Sequence, residues 1–254
     1  MPRTKQISSL LSPFPANIGH RGAKGISPEN TIVSFLMGSE YTNLFELDTM
    51  LCKTGEPVVI HDFTVDRTTD GTGAVRNLSL KELKSLESGL FFSEDFEGET
   101  IPTLQEVVES LPQTTIFDIE LKSQQDPKER EQLVAKVLKL IDQFHLVTRS
   151  FVSSFDWEIL KLIQKENPNL LRGYLLEKGD KLPANYLDYE PDLILPHFTS
   201  VTKEFVSQLK KENLGVVPYT VNDPSNWEKC LGAGVIGLIS DFPDRLRDYL
   251  STKK

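Results

Sequence analysis

Cysteine is nearly absent: the 254 residues include two, Cys52 and Cys230. Two thiols this far apart build no disulfide framework, so a reduced, cytoplasmic setting is expected. Long apolar runs are also missing. No stretch approaches the ~18 apolar residues that a membrane-spanning helix requires. Residues 1–15 lack the apolar core of a secretory signal, because serines separate Ile7 from Leu10 and Leu11. Net positive charge is lacking too: 28 Lys and Arg against 37 Asp and Glu leave −9. Broad nucleic-acid binding needs the opposite balance, so no nucleic-acid partner is expected. A phosphate ligand would need a local cation, whether Arg, Lys or a metal ion.

What is present is a soluble globular composition, 39% hydrophobic and 26% charged, with no linker or low-complexity segment dividing it. Eight apolar runs of strand length alternate with helical patterns. The runs are Ala16–His20, Leu44–Met50, Thr115–Leu121, Ser150–Ser154, Leu171–Leu176, Asp192–Pro196, Gly215–Val221 and Val235–Ser240. Helices are expected over 30–41, 103–111, 126–144, 156–166, 202–212, 223–233 and 243–250, with a weakly signalled one near 178–189. Thr103–Leu–Gln–Glu106 reads as a capping box, and Asp126–Pro127 as a helix start with proline in the first turn. This alternation predicts an α/β fold, a (β/α)8 TIM barrel in one domain over 1–254, with an open doubly wound sheet as the alternative. About sixty residues separate the second and third runs, too many for a plain βα loop. Over 52–102 a hairpin and a short helix, opened by Ser79–Leu–Lys–Glu82, predict a small insertion on top of the barrel.

The second run alternates Phe45 and Leu47 with Glu46 and Asp48. The next alternates Phe117, Ile119 and Leu121 with Asp118, Glu120 and Lys122. Strand side chains alternate faces, so each run places its carboxylates on one side. Buried unpaired carboxylates are costly, and a hard divalent cation, Mg²⁺ or Ca²⁺, removes that cost. A network of ion pairs that sets barrel register is the structural reading of the same residues. Of four histidines, His20 ends the first strand and His61 ends the hairpin; a turn near Thr54–Gly55 returns residues 61 and 62 to Glu46 and Asp48. Imidazoles placed there suit acid–base work. His145 and His197 have no such company and read as structural. Arg21 follows His20 directly and can hold phosphate oxygens with two parallel hydrogen bonds.

Several segments together resemble the glycerophosphodiester phosphodiesterase family. They are His20-Arg-Gly22, Pro28-Glu-Asn-Thr31, Glu46-Leu-Asp48, Val58-Val-Ile-His-Asp62, Asp66-Arg-Thr-Thr69, Ile101-Pro-Thr-Leu104, Ile119-Glu-Leu-Lys122, Thr220-Val-Asn222 and Ile239-Ser-Asp241. The resemblance implies a barrel of the phosphoinositide-phospholipase-C type. It implies that Glu46, Asp48 and Glu120 hold one divalent metal ion, Mg²⁺ or Ca²⁺, and that His20 and His61 are the catalytic acid–base pair. Arg21 and Lys122 would contact phosphate. Tyr219, which stands where many members carry Trp, would line the substrate pocket. The implied reaction is hydrolysis of a small-molecule glycerophosphodiester to glycerol 3-phosphate and an alcohol, in lipid and glycerol metabolism. A lysophospholipase D and a non-catalytic phosphodiester-binding barrel are the alternatives. Oligomeric state stays open, a homo-oligomer included.

Overall fold

The computed structural model describes residues 3–123 and 126–253; residues 1, 2 and 254, at the ends of the expected span, lie outside them. Nine strands occur among the described residues: β1 (Ala16–His20), β2 (Leu44–Leu51), β3 (Pro57–Val59), β4 (Ile116–Leu121), β5 (Ser150–Ser154), β6 (Leu171–Leu176), β7 (Leu193–Pro196), β8 (Gly215–Val216) and β9 (Gly237–Ser240). The helices are α1 (Arg3–Leu10), α2 (Ile32–Gly38), α3 (Leu80–Leu83), α4 (Leu104–Ser110), α5 (Pro127–Gln143), α6 (Trp157–Glu166), α7 (Lys203–Lys211), α8 (Pro224–Ala233) and α9 (Pro243–Ser251). Eight strands run parallel in the order β8-β7-β6-β5-β4-β2-β1-β9. The ring closes between β8 and β9, where Ile236 N donates to Val216 O and Ile239 N to Pro218 O, each at 3.0 Å. The fold is a (β/α)8 barrel.

Capping explains where several helices begin. Thr103 and Glu106 form the expected capping box at α4, and Ser79 and Glu82 form one at α3. Asp126 accepts from the backbone N–H groups of Lys128 and Glu129 at the start of α5. The helix expected near 178–189 is absent; a 3₁₀ turn at Tyr186–Tyr189 stands in its place. β8 is shorter than the expected 215–221 run because Pro218 cannot donate to the ladder.

Alternation along each strand divides the interior. Phe45, Leu47, Phe117 and Ile119 face outward into the layer of helices. Ile18, Leu44, Phe151, Leu171, Leu193, Leu195, Val217 and Ile239 fill the lower barrel, where Ile7, Leu10 and Leu11 of the α1 segment plug its base. Above this apolar floor, at the strands' C-terminal ends, the inward positions become His20, Glu46, Asp48, Asp118 and Glu120. β3 pairs antiparallel with β2, Thr49 opposite Val59 and Leu51 opposite Pro57. The segment after it has its own small core of Met50, Cys52, Val58, Ile60, Val65, Val75, Leu83 and Ile101. Phe91 and Phe92 stay outside that core, at 41% and 39% exposure. Cys52 and Cys230 are both free and buried.

Candidate active site

Strand register assembles the site. His20 lies level with Glu46, Glu46 with Asp118, and Asp48 with Glu120. Glu46, Asp48 and Glu120 are all buried, and each offers a carboxylate oxygen within 4.8 Å of the other two. Glu46 and Glu120 line a cavity of about 490 Å³ whose wall also includes Arg21, His61, Lys122, Phe155 and Tyr219, and Asp48 lies behind them. Every site residue expected from the sequence therefore lies in or beside one pocket at the C-terminal face of the barrel.

The acidic triad is electrostatically unsettled without a cation. Burial, reinforced by Asp48, pushes the Glu46 carboxyl well above its ordinary range. Burial also pushes Glu120 up to about 7, against the pull of Lys122. Asp48 goes the other way: Arg21, Lys122 and His61 outweigh its burial and keep it ionised. Arg21 Nε lies 3.1 Å from Asp48 Oδ2, and Lys122 Nζ lies 3.4 Å from Asp48 Oδ1 and 3.1 Å from Glu120 Oε1. Asn30 Nδ2 donates to Asp48 Oδ2 at 2.8 Å. Three converging carboxylates, two of them driven toward protonation by burial, are a donor set that fits a hard divalent cation. Beneath them Asp118 is wholly buried and held above its usual range by burial. Ser153 Oγ donates to its Oδ1 at 2.6 Å.

His20 and His61 each have an aspartate on Nδ1. His20 Nδ1 is 2.5 Å from Asp241 Oδ1, with Nε2 3.8 Å from Glu46 Oε2. His61 Nδ1 is 2.5 Å from Asp62 Oδ1. Asn222 holds Asp241 in turn, donating from Nδ2 to Oδ2 at 2.7 Å. Burial, with Arg21 opposing a further positive charge, lowers the pKa of His20; burial likewise lowers that of His61. Each ring therefore holds a second proton less readily than a free imidazole, and an Nδ1 held by aspartate leaves Nε2 to take or give a proton.

Arg21 occupies the left-handed region at φ 51°. Its backbone N donates to Glu46 Oε2 at 3.0 Å, and its NH1 donates to Glu29 Oε1 at 2.7 Å. Tyr219 presents its ring, since its hydroxyl donates to Leu176 O at 2.8 Å; Phe155 meets that ring edge-on at 5.9 Å. His197 packs edge-on against Tyr219 at 6.0 Å, and His145 caps a 3₁₀ turn. Sequence reasoning gave no role to Glu29, Asp62, Arg67 or Asp241. All four stand inside the matched segments quoted above, yet only the folded register reveals what each touches.

The sequence profile of the glycerophosphoryl diester phosphodiesterase family matches residues 20–245. A glycerophosphodiester phosphodiesterase of Caldanaerobacter subterraneus subsp. tengcongensis is 38% identical over 232 residues, covering 90% of this chain and 95% of that protein. Two solved structures superpose closely. One, from Silicibacter pomeroyi, described as a putative glycerophosphoryl diester phosphodiesterase, has a TM-score of 0.88 at 25% identity and covers 98% of each chain. The other is an Oleispira antarctica phosphodiesterase in complex with the product sn-glycerol-3-phosphate. Its TM-score is 0.86 at 29% identity, covering 94% of this chain and 97% of that one.

Proposed function

Because the chain belongs to the glycerophosphoryl diester phosphodiesterase family, we propose that it hydrolyses glycerophosphodiesters, such as glycerophosphocholine or glycerophosphoethanolamine, to sn-glycerol 3-phosphate and an alcohol. The observation that carries this reading is the set of two aspartate-backed histidines beside a buried acidic triad at one pocket, which Glu46 and Glu120 line. The product bound to the Oleispira antarctica neighbour supports the substrate class.

Glu46, Asp48 and Glu120 would hold one Mg²⁺ or Ca²⁺ ion, which when bound supplies positive charge to the phosphodiester oxygens. Arg21 and Lys122 add fixed positive charge at the same end of the pocket. One histidine takes a proton at Nε2 from the nucleophile as the new bond to phosphorus forms. The bond from phosphorus to the alcohol oxygen breaks, and the other histidine, in its protonated form, gives its Nε2 proton to the departing alkoxide. Asp62 and Asp241 orient the rings and stabilise whichever imidazolium forms. The nucleophile is water, or the 2-hydroxyl of the substrate glycerol followed by hydrolysis of a cyclic phosphate; trapping that cyclic ester separates the routes.

The deciding experiment incubates the protein with glycerophosphocholine and a divalent metal and follows choline and glycerol 3-phosphate. Absence of both products, with glycerophosphoethanolamine also unchanged, would sink the reading. A lysophospholipase D activity is the second reading, favoured by half-exposed Phe63 and Phe155 on the pocket wall. Faster turnover of lysophosphatidylcholine than of glycerophosphocholine would put it first.

A further inference from the structure

We infer that Arg67, carried by the segment inserted after β3, is a positioning residue that sets the spacing between His61 and Arg21. The inference rests on the roles proposed above for those two residues. Its basis is one unbroken chain of contacts. Arg67 Nε donates to Asp62 Oδ2 at 2.6 Å, and NH2 approaches Asp62 Oδ1 at 3.3 Å. The adjoining edge of the guanidinium, which shares NH2, donates to Glu29, NH1 to Oε2 at 2.9 Å and NH2 to Oε1 at 2.7 Å. Asp62 holds Nδ1 of His61, and Glu29 holds NH1 of Arg21. The order is therefore His61, Asp62, Arg67, Glu29, Arg21.

An exposed ion pair usually contributes little, and the Arg67 side chain is 46% exposed. This one differs in geometry. A planar guanidinium engages two carboxylates at once, which a lysine ammonium cannot reproduce. Glu29 is only 7% exposed, so its charge depends on the two arginines that flank it. Against its burial, Arg67 and Arg21 hold the Glu29 carboxyl at about 2. The loop beneath Arg67 is anchored: Val65 is fully buried in the small core, Gly73 N donates to Asp66 Oδ2 at 3.0 Å, and Thr69 Oγ1 donates to Val65 O at 2.7 Å. The inserted segment thus ties its own His61 to Arg21 through the Arg67 side chain.

Removing the guanidinium produces two separable defects. Asp62 loses the partner that fixes its orientation, so His61 is less well aimed and kcat falls. Glu29 keeps a single close guanidinium and draws Arg21 toward itself, away from a phosphate, so KM rises.

The test measures kcat and KM for glycerophosphocholine, with metal present, for wild type, Arg67→Met, Arg67→Lys, Asp62→Asn and the Arg67→Met/Asp62→Asn double variant. Arg67→Met should lose on the order of 10-fold in kcat and raise KM severalfold, with Arg67→Lys between it and wild type. The double variant should turn over no more slowly than Asp62→Asn alone, within about twofold, because both changes break the same link. In a further variant, Arg67→Ala, which leaves room for the ion, free guanidinium should restore part of the kcat, an effect that a generally loosened fold would not show. Kinetics of Arg67→Met within twofold of wild type would overturn the inference, as would multiplying effects in the double variant or no rescue by guanidinium. A wild type inactive on every glycerophosphodiester would instead remove the functional reading, and the inference with it.

Discussion

His20 Nδ1 and Asp241 Oδ1 lie 2.5 Å apart although 221 positions separate them in the chain. They meet because β1 pairs with β9, Gly19 opposite Ser240. The second dyad, His61 with Asp62, joins sequence neighbours. One dyad therefore exists only when the barrel is closed, and the other is local.

Replacing His20 or His61 by alanine should reduce turnover by roughly 10²–10⁴-fold with the fold retained. Asp241→Asn and Asp62→Asn should cost less, since each histidine keeps its place but loses its anionic partner. Turnover of glycerophosphocholine, with circular dichroism as the fold control, checks this. Full activity in either histidine variant removes that residue from the mechanism.

Chelation should abolish turnover and re-addition of Mg²⁺ or Ca²⁺ should restore it. Glu46→Gln and Glu120→Gln should lose metal-induced stabilisation and most activity. The same variants, metal-free at pH 8, should melt above the metal-free wild type, because glutamine removes a buried like charge. Thermal melts with and without metal decide the point; lower metal-free melting temperatures would contradict the electrostatic account.

The pH dependence of the metal-free protein has two limbs. Glu120, raised to about 7, contributes stability present below its unfolded value of 4.5 and lost as pH rises through about 7. Glu46, also raised, acts in the same direction. Glu29 and Asp241, each held at about 2, contribute stability present above about pH 4–4.5 and lost as pH falls toward 2. His20 and His61, both lowered, add stability that is lost as pH falls below about 6.5, so urea midpoints should peak between about pH 5 and 7. Metal should tighten about tenfold per pH unit between 5 and 7 for one displaced proton, with proton release seen by calorimetry in two buffers. An affinity independent of pH would refute the raised carboxylate.

Leu11→Ala should destabilise the protein by roughly 2–5 kcal/mol, since Leu11 is fully buried in the floor of the barrel. The kcat of the folded fraction should not change, because that floor lies at the opposite end from the pocket. Denaturant titration and active-site-normalised kinetics measure both halves of this expectation.

The inward placement of Glu46, Asp48 and Glu120 was legible because a strand repeats every two residues, and two runs with the same parity predict one acidic face. His61 was legible through hairpin register: Ile60 N donates to Asp48 O at 3.2 Å, which delivers the next residue to the site. The base plug was not legible. Ile7, Leu10 and Leu11 gain a purpose only when the base of a barrel is there to be covered. Arg67 was hidden for a similar reason. An arginine in a polar loop reads as solvated surface until folding brings Glu29, 38 positions away, against it.

The plug also constrains the order in which the chain can assemble. Arg3 donates to Asp192 Oδ1 at 2.9 Å and to Pro168 O at 3.0 Å, while Gln6 donates to Asn169 O at 3.1 Å. Its apolar face joins a cluster drawn from β1, β2, β5, β6, β7 and β9. During synthesis these polar partners, at 168, 169 and 192, emerge well over a hundred residues after residues 3–11. At about 5–20 residues per second, the segment waits for many seconds with Ile7, Leu10 and Leu11 uncovered. This segment is thus made long before it can lock, and the interval before it seats is when a chaperone has most to protect.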